Sequence, residues 1–181
     1  MNPEPDTTGQ WLGTRREEIL AAWRRLVLAR LAPAAAGILA TPDPFANPMG
    51  HRVHASTAAL LDAIAAGQPE AAVAAAVEPL MRVQAIQGRP ASEAVAFVSL
   101  LARASREVSG GMPPDLAAGL RDRLDAVLLV AFDVYVRCRE EIFEIRVREA
   151  RRRVSALIDR LAVPDEETGD AWAGPEGSAA R

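Results

Sequence analysis

The chain has 181 residues, half of them apolar, with 21 basic against 24 acidic side chains and a formal net charge of −3. That is one domain with a real core; it excludes a chain disordered throughout, and it lacks the basic excess of a general phosphate-backbone binder, so no nucleic-acid partner is expected. One cysteine, Cys138, excludes an internal disulfide and a multi-thiolate metal site.

In chain order, residues 1–13 and 163–181 are rich in Pro, Gly and acidic residues without apolar periodicity, which predicts a disordered tail at each end and a folded unit over 14–162. Thr14-Arg15-Arg16-Glu17 has the pattern of a capping box, and Ile19, Leu20, Trp23, Leu26, Val27 and Leu31 follow at helical spacing. Pro33, Pro42, Pro44 and Pro48 break the next stretch. Asn47 then reads as an N-cap with Pro48 at the first helical position, opening a helix that stops at Gly67. A third helix starts at Pro69 and runs to about Gly88, with Pro79 expected to kink or divide it. A fourth starts at Pro90 and closes at Gly110-Gly111.

The last helix is expected from about Asp115 to Leu161. Its length, of the order of 65 Å, is more than one small domain can bury. Its first half is nearly all apolar and reads as the centre of the core. From Phe143 the seam narrows to Phe143, Val147, Ala150, Val154, Leu157 and Leu161, stepping by four and three as in a helix that pairs with another. Phe143, Val147, Val154, Leu157 and Leu161 are therefore the expected interface with a second copy or a protein partner. Glu144 with Arg148 and Glu149 with Arg153 are acid-before-base pairs at i,i+4. No run shows two-residue alternation, so the fold class is all-α. Residues 126–136 fall short of the roughly 20 residues a spanning helix needs, and the start has no basic-then-apolar leader; a cytoplasmic protein that does not span a membrane is expected.

Chemistry is sparse. His51 and His54 share a helical face, but no third ligand is nearby, and hydrogen bonding is preferred to metal. Cys138 between Arg137 and Arg139 could be a redox-sensitive thiol; a small core residue is the preferred reading. Asp125 and Asp133 lie eight apart in the most apolar helix, and if buried would need a donor such as Arg82. With Tyr135 and Cys138 they form the set of candidate buried polar or ligand contacts. No nucleophile elbow, phosphate loop, paired catalytic carboxylates or His-Glu-x-x-His pattern is present, so no catalytic, metal or cofactor site is expected. The arginines from Arg146 to Arg153 are read as a solvated surface.

Three strings together carry a resemblance: FANPMGHRV at 45–53, MRVQAIQGRPASEAVAFVSLL at 81–101 and AFDVYVRCREEIFEIRVREARRR at 131–153. Over about residues 15–162 the chain resembles the N-terminal domain of the RsbR/RsbD-type RsbT co-antagonist proteins of the bacterial stressosome. The resemblance implies a globin-like helical sensor domain without haem, acting in signal transduction as a homodimer through its last helices, with no enzymatic activity. No histidine lies between Val73 and Leu101, consistent with the lack of a haem ligand there. The family's following phosphorylatable domain is not in this sequence. Stand-alone relatives near a membrane electron-transfer complex of dissimilatory sulfur metabolism are similar in architecture, and an accessory factor of that kind is the alternative, with Cys138 as its reactive group.

Overall fold

A computed structural model describes residues 7–31, 37, 40–41, 43, 45–108 and 110–161, the last of these by its backbone alone. Six helices and no strand occur among them: α1 (Thr7–Thr14), α2 (Arg16–Leu31), α3 (Pro48–Ala65), α4 (Glu70–Ile86), α5 (Ala91–Glu107) and α6 (Pro114–Leu161). The all-α expectation holds. The chain divides into two units, Met1–Phe143 and Glu144–Arg181, with the boundary inside α6.

The first correction is at the start of the chain. Residues 7–13, expected in a loose tail, are helical, and Trp11 and Leu12 are buried. Two large apolar side chains on one face of a short helix suffice to dock it on a neighbour, a signal too brief to show as periodicity. The Thr14 capping box does not form; the Thr14 hydroxyl donates to the Gln10 carbonyl within α1 at 2.9 Å. The expected tail at 163–181 lies outside the described residues.

Asn47 caps α3 as its sequence predicts, with Oδ1 accepting from the Gly50 N–H at 2.8 Å and Pro48 in the first turn. Just ahead of it the Asp43 carboxylate accepts from the backbone N–H groups of Phe45 and Ala46, which hold it below the usual carboxylate range. Gly67 follows α3 and Gly88 follows α4, both at positive φ, where glycine ends a helix without a Cβ clash. α4 is one helix with Pro79 inside it on an exposed position, so the expected division does not occur.

In the first unit the core is a layer of Leu, Val and Ala from all six helices around Trp23 and Phe97. Their rings stack with centroids 6.1 Å apart, and Trp23 Nε1–H donates to the Phe97 carbonyl at 2.8 Å, joining α2 to α5. Arg16 binds Asp62 through both Nε and an NH2 group, at 2.7 and 2.9 Å, and ties α2 to α3. α6 enters this core with Leu120, Leu124, Val127, Ala131, Val134 and Cys138, spaced by four and three on one face. Arg123 on the same helix donates to the Ile64 carbonyl at the end of α3.

Trp23→Phe removes the buried donor and part of the ring, and is expected to cost about 1–3 kcal/mol in denaturant unfolding; Trp23→Ala should cost about 3–5 kcal/mol. A loss below about 0.5 kcal/mol for Trp23→Ala would mean that this contact does not organise the core.

Candidate interaction surface on the last helix

α6 is two-faced within the first unit. Opposite its core stripe, Leu129, Phe132 and Phe143 are 67, 45 and 67 % exposed, and half-buried Val136 completes their spacing of three, four and seven. This corrects the reading of 126–136 as uniformly core. A helix at the edge of a bundle is covered on one side only, so a stretch apolar all round must present some of its large side chains to solvent. Leu129 and Phe132 do not stand out from the sequence as surface residues. The signal that finds them is the second three-four row, a little under half a turn away from the row Leu120, Leu124, Val127, Ala131, Val134 and Cys138.

A groove of about 520 Å³ runs beside this row, between α6, the end of α3 and the start of α4. Ala63, Ile64, Val73 and Val127 give it apolar walls, and Gln68, Glu70, Arg123 and Asp133 are its polar members.

In the second unit every described side chain from residue 144 to 160 is exposed except Val147, which is half-buried. Val154 and Leu157 are 56 and 57 % exposed. Leu161 ends α6, and its side chain lies outside the described residues. The expected i,i+4 pairs do not close: Arg148 Nε reaches only the Glu144 backbone carbonyl, at 3.4 Å, and no Glu149–Arg153 ion pair is present among the described residues.

The candidate buried polar set does not converge. Asp125 and Asp133 are exposed rather than buried, because both turn away from the core stripe of α6, and Asp133 joins the groove wall. Arg82 is half-buried and pairs with Glu78 at 2.8 Å and Glu141 at 2.9 Å instead. Tyr135 is buried and its hydroxyl donates to the Arg89 carbonyl, pinning α6 to the turn between α4 and α5. Cys138 is buried in the core; burial pushes its thiol up, against the smaller opposite effect of the Arg82 guanidinium.

His51 is exposed and His54 half-buried, and no three potential metal ligands cluster among the described residues. Burial and the nearby Arg24 guanidinium hold the His54 imidazole below its ordinary value. Arg24 itself donates to the His54 carbonyl and the Thr57 hydroxyl. No helix among the described residues is long and apolar enough to cross a membrane.

Among the described residues the domain is all-helical, with a filled core, an apolar outer row on α6 and no converging set of reactive groups. The profile of the RsbT co-antagonist protein rsbRD N-terminal domain matches residues 17–153, and the chain belongs to that family. The match takes in α2 to α5 and most of α6; α1 precedes it. No curated protein and no solved structure matches the chain significantly.

A buried, proton-retaining thiol is a poor nucleophile. Cys138 is expected to react with a thiol reagent about a hundredfold more slowly in the native chain than in denaturant. Rapid stoichiometric labelling of the native protein would contradict this placement.

Proposed function

We propose that this domain is a non-enzymatic regulatory module that works by docking proteins on α6, and that a second copy covers the row Leu129, Phe132 and Phe143. The observation that carries the reading is the exposure of these three large side chains on a helix whose opposite face is already buried in its own core. Completing their burial is worth about 1–2 kcal/mol each, because each is already partly covered. In two copies that is of the order of 6–12 kcal/mol gross, comparable with the cost of association, so the dimer is reversible rather than obligate.

Phe143 belonged to the interface expected from sequence; Val147, Val154 and Leu157 on the second unit serve a protein partner in this reading. The redox form of the sulfur-metabolism alternative depended on Cys138, and its enclosure gives that form no support.

Light scattering of the full chain is expected to give a mass that rises from monomer to dimer between low and tens of micromolar protein. Leu129→Glu combined with Phe132→Glu should hold it at the monomer mass without loss of helicity, since neither side chain belongs to the buried core. A wild-type monomer throughout that range, or a double variant that still dimerises, would refute the proposed dimer surface.

A further inference from the structure

We propose that residues 144–160 of α6 are the docking face for an amphipathic helix of a different protein, one whose apolar stripe is bordered by Asp or Glu on both sides. The apolar side of this face is Val147, Ala150, Val154 and Leu157, stepping by three and four. Val147, Ala150, Val154 and Ile158, with Arg151 and Ser155, line a shallow trough along it. A row spaced in this way is the seam of a two-helix coil, in which the residues bordering the seam select the partner and its orientation.

Four of the six bordering residues here are arginines, with Glu144 and Ile158 the other two. Arg146 and Arg153 each directly precede a seam valine, and Arg160 precedes Leu161, so the three lie on one border; Arg151 follows Ala150 on the other. Among the described residues, no ion pair involves Arg146, Arg151, Arg153 or Arg160. The segment carries six arginines against the three acids Glu144, Glu149 and Asp159. Of these acids only Glu144 borders the seam, and it does so at the edge of the stretch.

A second copy is a poor occupant in either direction. Laid parallel, it would set Arg146 beside the partner's Arg151; laid antiparallel, the border of Arg146, Arg153 and Arg160 would face its own duplicate. Acidic borders on a different helix remove the conflict and give every one of these arginines a counter-charge. An anionic lipid surface fits less well, because it favours a broad apolar face under a purely basic one, and this face is narrow with Glu149 and Asp159 opposite.

The inference shares with the proposed function only the premise that the domain acts by docking proteins; the dimer row is a separate set of residues. The test titrates the full chain with two labelled synthetic helical peptides that share one Leu/Val seam, one bordered by Glu and the other by Lys. The Glu peptide is expected to bind at least about tenfold more tightly, with an advantage that shrinks as salt rises. Arg146→Glu with Arg153→Glu should reverse the preference, and Leu157→Asp should weaken both peptides; circular dichroism confirms that the variants stay helical.

Equal affinities, or a preference untouched by the double charge reversal, would overturn the proposal. So would arginine-dependent binding to phosphatidylglycerol/phosphatidylcholine vesicles with no binding of the Glu peptide. Light scattering on the same samples separates the two ideas: a monomeric chain that keeps the peptide preference sinks the dimer alone, and a dimer without the preference sinks this inference alone.

Discussion

Burial of one face of α6 in the first unit organises the rest of the domain. Leu120, Leu124, Val127, Ala131, Val134 and Cys138 fill the core that α1 to α5 supply. Three polar contacts then fix the rotation of the helix: Arg123 to the Ile64 carbonyl, Tyr135 to the Arg89 carbonyl and Glu141 to Arg82. A helix rotated by a single residue would remove the buried stripe from the core and break these bonds together. With the rotation fixed, Leu129, Phe132 and Phe143 have nowhere to go but outward. Their exposure is a consequence of the core.

The arrangement also explains why chemistry is scarce. The polar groups that might have formed a pocket are used structurally: Tyr135 and Arg82 are committed to neighbouring elements, and Cys138 is a core filler with its thiol pushed up by burial. Asp125 and Asp133 stand at the surface, where a carboxylate needs no partner. Membership of the RsbT co-antagonist protein rsbRD N-terminal domain family suggests a regulatory module.

Much of the fold was legible in the sequence because punctuation and periodicity agree. Asn47-Pro48 opens α3 and Gly67 closes it, Gly88 closes α4, and the long proline-free run after Pro114 is a single helix. What was not legible depends on tertiary context. α1 is too short for its period to stand out, yet Trp11 and Leu12 find a core to enter. Pro79 removes one hydrogen bond from α4 but faces outward, where the helix can continue around it. In 125–136, composition shows an apolar helix without showing which side the bundle covers, so the outward placement of Leu129 and Phe132, and of Asp125 and Asp133, is not legible from it. The distal seam was the clearest feature of the candidate surface, because exposed charges leave its narrow apolar row easy to see.

Whether a second copy covers the outer row of α6 is read out by hydroxyl-radical footprinting of the full chain across a range of concentrations. Phe45, 93 % exposed on its turn ahead of α3, is the internal reference. With the row covered in a dimer, oxidation of Phe132 and Phe143 falls relative to Phe45 as concentration rises. Phenylalanines at 132 and 143 that stay as reactive, relative to Phe45, at the highest concentration as at the lowest would contradict it.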